Sequence, residues 1–258
     1  MLRVEGVSHA YENGDLVLCD LSFEIGAGEK VVLLGCNGSG KTTLLRILNG
    51  LVFPAKGGYW YKEQPITSKS LKNRELHEEF RKEVVLLFQN PDSMIFNPTV
   101  HDEIAFGPRQ LDLEDVEERV RHWADALGIT RHLERPPFQL SSGEKQKVCL
   151  ASLLALDPEV LLLDEPTASL DPRTTGWVVD FLQDLKITTV VTTHNLSLAG
   201  ELGRRTLVLS ESHELIYDGE IGELLGDKER LLKANLLHIH RHRHPELEHR
   251  HYHTHDWE

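Results

Sequence analysis

Apolar positions along the chain follow two rhythms. Leu21, Phe23 and Ile25 alternate with polar neighbours, the two-residue period of a half-buried strand, and Ala27-Gly28-Glu29 then turns the chain. Residues 31–35, VVLLG, are a short continuous apolar run, as expected of a strand buried on both faces. Residues 84–88, 160–163, 188–191 and 207–209 read as further strands. Between them the period changes to three and four. Leu113, Val116, Val120, Trp123 and Leu127 step this way, as do Val178, Phe181, Leu182 and Leu185 within 172–185. Residues 42–49 form a helical stretch stopped by Gly50. Strand–helix alternation predicts an α/β domain with a largely parallel sheet. Residues 89–157 hold no convincing strand and read as a helical insertion. After Tyr217 come two helical pieces, 221–225 and 228–237. Then the composition changes abruptly into HIHRHRHPELEHRHYHTHDWE.

Composition narrows the class. The 258 residues are 40% hydrophobic and 27% charged, ordinary globular usage that excludes general disorder. The longest near-apolar run, 148–156, is far short of the roughly 20 residues a membrane helix needs. The start, MLRVEGVSHA, lacks the basic and apolar regions of a secretory signal. Three cysteines, an odd and sparse set, point to a reducing compartment and against a disulfide framework. The formal charge of −13 argues against a broad nucleic-acid surface. Of 15 histidines, eight fall in the final stretch.

Two segments carry phosphate chemistry. GCNGSGKT, residues 35–42, fits G-x-x-x-x-G-K-[ST] between a buried strand and a helix. Its glycines, Gly35, Gly38 and Gly40, let the backbone N–H groups around Cys36, Asn37 and Ser39 turn toward phosphate oxygens. Lys41 brings a positive charge, Thr42 offers a hydroxyl to Mg²⁺, and Thr43 follows on a helix whose N-terminus favours anions. VLLLDEP, residues 160–166, ends a strand in two carboxylates, Asp164 and Glu165. Neighbours on a strand face opposite sides, so the two are expected to differ in role. One organises Mg²⁺ and its waters, and the other polarises a water for in-line attack. Between these segments Ser141 and Glu144 form a capping box at the start of a helix running to Ala155. Asp171 before Pro172 is an N-cap with proline at the first helical position.

LSSGE, with Ser141, Ser142, Gly143 and Glu144, resembles the LSGGQ signature of ATP-binding-cassette (ABC) ATPases, and that family's other motifs appear in order. Tyr11 stands where the adenine-stacking aromatic is expected. Gln89 follows a strand, like the Q-loop glutamine. Ser169-Leu170-Asp171 matches the D-loop, and His194 the switch histidine. The resemblance covers about residues 2–237. It implies a P-loop NTPase core with a largely parallel sheet and an N-terminal antiparallel β region, residues 1–88 and 158–237. A helical signature subdomain, 89–157, and a flexible His-rich tail, 238–258, complete the chain. It also implies MgATP as cofactor and substrate, with Thr42, Gln89 and Asp164 around Mg²⁺ and Glu165 and His194 catalytic. Two ATPase subunits would pair head to tail, each signature acting on the other's ATP. Ser142 and Glu144 depart from the usual glycine and glutamine. Glu144 should point back to the cap, away from the anion. Cys36, beside the loop's N–H groups, is expected to be thiolate-prone.

FQNPDSMIFNPTVHDEIAFGPRQL, residues 88–111, resembles the ATPases of energy-coupling-factor (ECF) transporters, the cobalt and nickel uptake group above all. Such an ATPase works at the cytoplasmic face under a transmembrane coupling protein, beside a membrane protein that binds substrate. Residues 90–106, with Met94, Ile95 and Phe96, are the expected partner surface. The tail fits a metal theme. His238, His240, His242 and His244 alternate, as do His249, His251, His253 and His255, and imidazole suits Ni²⁺, Co²⁺, Zn²⁺ and Cu²⁺. Other readings are an importer ATPase for another micronutrient such as a vitamin and a His-rich P-loop GTPase that inserts nickel. An ABC ATPase acting on DNA or ribosomes and a metal store are two more. The chain has no N/T-K-x-D motif for guanine, no coiled-coil insertion and no second cassette.

Overall fold

The protein is described by a computed structural model. It covers residues 1–11, 14–168 and 170–237 in full, and the backbone of 238–244 and 247–254. The chain opens with β1 (Leu2–Ala10), β2 (Leu16–Ile25), β3 (Lys30–Leu34), α1 (Lys41–Leu48), β4 (Lys56–Tyr61) and β5 (Gln64–Pro65). Next come α2 (Arg74–Glu83), β6 (Val84–Leu87), α3 (Val100–Gln110), α4 (Val116–Ala126), α5 (Ser142–Leu154) and β7 (Val160–Leu163). α6 (Pro172–Asp184), β8 (Thr188–Thr193), α7 (Leu196–Leu202), β9 (Arg205–Leu209) and β10 (Leu215–Glu220) follow. α8 (Ile221–Gly226), α9 (Lys228–Lys233), β11 (Leu237–His244) and β12 (Leu247–Thr254) end the chain. Two compact units result: residues 1–66 with 190–258, and residues 67–189.

The first unit holds an antiparallel sheet in the order β2-β1-β4-β5. Leu2, Val4 and Val7 of β1 are buried, so the period of two breaks after Val4. The break is a register shift against β2, with Gly6 at φ 58°, a left-handed conformation that glycine adopts without a Cβ penalty. In the same unit β3 and β9 pair in parallel, Val31 opposite Arg205 and Leu34 opposite Val208, and β10 adds to β9 antiparallel. Val31 to Leu34 are fully buried, which suits a strand covered on both faces. Arg205 is clamped by Asp218 and Glu29, at 2.7 Å and 2.8 Å.

The second unit pairs β6 and β7 in parallel, Val84 opposite Val160 through Leu87 opposite Leu163. Every residue of both strands is buried, each worth about 1.5–3 kcal/mol relative to exposure. No strand interrupts the chain between them, as the apolar rhythm predicts. α3, α4 and α5 bury Val100, Ile104, Ala105, Val120, Ala124, Val148, Leu150, Ala151 and Leu154.

The helix expected over 228–237 is shorter. Asn235 takes φ 52°, ending α9 after Lys233 as left-handed residues commonly end helices, and Leu237 opens β11. β11 and β12 pair antiparallel, setting His238 opposite His253, His240 opposite His251 and His242 opposite His249. The tail histidines' side chains, and His255 altogether, lie outside the described residues.

Candidate functional site

The phosphate-loop sequence forms a tight curl after β3 and before α1. Gly35, Gly38 and Gly40 have φ of 156°, 83° and 105°, which only glycine adopts freely. A Cβ on Gly40 would run into the Val17 carbonyl, so no other residue fits there without moving β2. Asn37 and Gly38 are exposed at the tip of the turn, where the Ser39 N–H donates to the Cys36 carbonyl at 3.2 Å. Lys41 is 6% exposed, and its ammonium donates to the carbonyls of Gly35 (2.7 Å) and Cys36 (3.2 Å). The curl thus closes on its own cation. The buried Ser39 hydroxyl has no partner among the described residues. A cradle of positive-φ glycines, a buried ammonium and an orphaned hydroxyl fits a polyphosphate. Thr42 is half-buried in the first turn of α1.

Tyr11 and Thr43 connect two sequence-distant pieces of this unit. The Tyr11 hydroxyl lies 3.0 Å from Thr43 Oγ1, and its ring packs edge-on to His9. The aromatic expected to stack on adenine therefore stands at the start of α1 with its ring 39% exposed as a residue. His194 is half-buried in the bend after β8. Asn195 next to it caps α7, accepting from the N–H groups of Ser197 and Leu198.

Cys36 corrects an expectation. Burial and the nearby Glu211 carboxylate raise its thiol pKa, and together they outweigh the lowering by Lys41. Its neighbourhood disfavours thiolate rather than promoting it.

In the second unit Gln89 and Asp164 follow the ends of paired strands. The Asp164 N–H donates to the Leu87 carbonyl at 2.9 Å, two residues before Gln89. Asp164 is buried and Gln89 exposed. Glu165 has left the strand: its φ is 45°, in the left-handed region, and it is 9% exposed. The alternation of faces expected for the pair therefore does not describe it, because β7 has ended at Leu163. Such a conformation costs a non-glycine residue of order 1–3 kcal/mol and is held by the structure around it. The buried Asp164 carboxylate is an oxygen donor of the kind that a hard cation such as Mg²⁺ takes.

Ser141 caps α5 and Glu144 completes the box. Glu144 Oε2 accepts from Ser141 N–H (3.0 Å) and from the Ser141 hydroxyl (2.8 Å). The carboxylate points back, as expected. These bonds hold its pKa down at about 2. Ser142 is exposed, and Gly143 sits where a Cβ would press on Thr174. Gln89, Asn90, Pro91, Asp92, Ser142 and Lys145 line a cleft of about 490 Å³. Asp171 caps α6 by accepting from Arg173 and Thr174 N–H, with Pro172 at the first position. Ser169 lies outside the described residues.

The ABC transporter family model matches residues 18–168. The chain belongs to that family. This ABC ATPase is 41% identical over 243 residues to an ATP-binding protein assigned to ABC transporters in Methanosarcina acetivorans, covering 91% of this chain and 88% of that one. It is 41% identical over 243 residues to another from Caldanaerobacter subterraneus, covering 92% and 99%. Among solved structures it resembles cbiO1 of Clostridium perfringens, described as part of the ABC transporter complex cbiONQ. The TM-score is 0.77, with 30% identity over 91% of this chain and 94% of that one. It also resembles the ATP-binding cassette MJ0796, a dimer bound to ADP and Pi, at TM-score 0.76 and 26% identity, covering 86% and 99%. The fold is therefore that of the ABC ATPases, a P-loop α/β core with an antiparallel N-terminal sheet. Its activity is ATP hydrolysis coupled to transport, with ATP and Mg²⁺. Among the described residues no helix is long and apolar enough to cross a membrane.

Several groups around this ABC ATPase's motifs have no sequence signal. Glu211 reaches Cys36 from beyond β9, and His213 reaches the Ser39 carbonyl (3.3 Å). His132 and Arg131 meet Glu144, and Lys145 pairs with Asp92 at 2.6 Å. Met94 is less exposed than expected, because its sulfur accepts from the Phe88 N–H at 3.4 Å. Phe96 is 66% exposed and packs edge-on to Phe106.

Proposed function

We propose that this ABC ATPase powers an ECF-type importer of a divalent transition-metal ion, nickel or cobalt. The observation that carries the reading is the likeness to cbiO1, part of an ABC transporter complex, over nine-tenths of both chains. The sequence from Phe88 to Leu111 supports it from within the chain. In this reading residues 35–43 hold the ATP phosphates and Tyr11 stacks on the adenine. Thr42, Asp164 and Gln89 hold Mg²⁺, which neutralises phosphate charge. Glu165 polarises the attacking water and His194 contacts the γ-phosphate. Ser141 to Glu144 and Asp171 act on the ATP of a second, head-to-tail ATPase subunit; MJ0796, solved as a dimer, supports the pairing.

The membrane partners are a coupling protein and a substrate-binding protein, with the ATPase peripheral at the cytoplasmic face. Exposed Phe96, held by Glu103 through the N–H groups of Phe96 (3.0 Å) and Asn97 (2.8 Å), supports docking on this side. The His tail adds a place for the same class of ion.

Co-expression with the membrane partners and uptake of labelled Ni²⁺ and Co²⁺ test the reading. Uptake should need ATP, stop in Glu165→Gln and fall in Phe96→Ser while basal ATPase persists. ATP-driven uptake of a vitamin with none of either metal would replace the cargo and leave the ATPase intact.

A further inference from the structure

A histidine stands in the turn between β9 and β10 at a place that suits glycine. His213 has φ 65°. Its N–H closes the turn by donating to the Ser210 carbonyl at 3.0 Å, and the Ser210 N–H donates to the Glu214 carbonyl at 3.0 Å. The residue after such a turn takes the left-handed conformation, where glycine meets no Cβ penalty and histidine does. The side chain is what a glycine would lack, and its contact lies outside the hairpin.

His213 Nδ1 is 3.3 Å from the carbonyl oxygen of Ser39, 174 residues away in the chain. A carbonyl only accepts, so Nδ1 carries the proton and donates. The His213 carbonyl in turn accepts from the Cys19 N–H of β2 at 2.9 Å. β2 meets the same phosphate loop at Gly40, where a Cβ would come within 2.3 Å of the Val17 carbonyl oxygen. The turn is therefore bolted to the strand that walls the loop, and its imidazole reaches the loop from that fixed base.

The peptide joining Ser39 to Gly40 is planar and trans, so its C=O and N–H point in opposite directions. Holding the Ser39 carbonyl toward His213 aims the Gly40 N–H away from the ring. That N–H donates to no acceptor among the described residues. Gly40 has φ 105°, and glycine takes φ of either sign about equally, so the glycine side resists a flip of this peptide only weakly. A flipped peptide would set a carbonyl oxygen where the N–H had been, and phosphate oxygens would meet an acceptor instead of a donor.

We infer that His213 is a positioning residue of the ATP site: its Nδ1–H holds the Ser39–Gly40 peptide in the orientation that offers the Gly40 N–H to a phosphate. The inference rests on the reading that residues 35–43 hold the ATP phosphates.

The test compares His213→Gly and His213→Asn with the native full chain. His213→Gly removes the donor and relieves the backbone. It should hold or raise the thermal midpoint while raising the ATP concentration for half-maximal turnover about two- to tenfold, the worth of one hydrogen bond. Turnover at saturating ATP should change little, because the bond serves bound ATP before and during hydrolysis alike. Asparagine tolerates the left-handed conformation, and its Nδ2 branches from Cγ as histidine Nδ1 does, so His213→Asn should restore most of the affinity. A native ATP requirement in His213→Gly would overturn the proposal. So would a loss in His213→Asn equal to that in His213→Gly, or a loss of affinity that only tracks a fall in thermal midpoint, since either makes His213 a packing residue. The phosphate-loop reading fails separately, if Lys41→Ala binds ATP as the native chain does.

Discussion

The hydroxyl of Tyr11 and Oγ1 of Thr43 are 3.0 Å apart, tying the loop after β1 to the first turn of α1. An aromatic fixed at that point can cover a base while α1 and its loop hold the phosphates. Tyr11→Ala should weaken ATP binding by about 1–3 kcal/mol, the range of base–aromatic stacking. Tyr11→Phe keeps the ring and loses a bond of only about 1 kcal/mol. A fluorescence titration with ATP should therefore order the affinities as wild type, Phe, then Ala. Equal affinity of all three would take the ring out of the site.

Glu165 is buried at the end of β7 with φ 45°. Glu165→Gln preserves shape and removes the proton acceptor, so turnover should fall about 10²- to 10⁴-fold with ATP affinity retained. A closed dimer should then accumulate with ATP on size exclusion. His194→Ala should also lose most turnover. Near-wild-type hydrolysis by the glutamine variant would remove Glu165 from its role.

Cys36 should label slowly. Its raised thiol pKa leaves little thiolate at neutral pH, and the labelling rate should climb as the pH rises past 9, the ordinary thiol value. Glu211→Gln removes a repelling carboxylate and should speed labelling at fixed pH. A rate already at its plateau at pH 7 contradicts this environment.

The Glu144 cap gives a pH signature. Its carboxyl is held at about 2 against an ordinary 4.5, because the charged form accepts from Ser141. A depressed folded pKa contributes stability that is complete above 4.5 and lost as the pH falls toward 2. Glu144→Gln should therefore lower thermal stability at pH 7 by a margin that shrinks from pH 4.5 downward. A margin independent of pH would mean that the charge is not what caps α5.

Residues adjacent in sequence were the legible ones. The loop 35–43, the pair Asp164-Glu165, the Ser141–Glu144 box and the Asp171-Pro172 cap each lie within one local element. β3, β6 and β7 read directly because both faces are buried and every residue is apolar or nearly so. β1 did not, since the shift at Gly6 changes its burial period midway. β4, KGGYWY, is hidden by its two glycines, and α2 by burying only Phe80. His132 and Glu211 escaped for another reason: they reach Glu144 and Cys36 through tertiary folding, which no local spacing encodes.

The tail offers a test that separates a generic polyhistidine from a built site. Directly opposed residues of an antiparallel pair have Cβ atoms about 4.5–5.5 Å apart, whereas residues two apart on one strand are separated by roughly 6.6 Å. Chelation of one ion therefore favours pairs across the hairpin over neighbours along it. The backbone register sets His238 against His253, His240 against His251 and His242 against His249, three opposed pairs. His240→Ala with His251→Ala removes one pair. His240→Ala with His249→Ala removes the same number of imidazoles but breaks two. Calorimetry with Ni²⁺ on the full chain should show a loss of one site in the first variant and two in the second. Deleting residues 238–258 should remove all of them without changing ATP hydrolysis. Equal losses in the two double variants would mean that the histidines bind Ni²⁺ without regard to register.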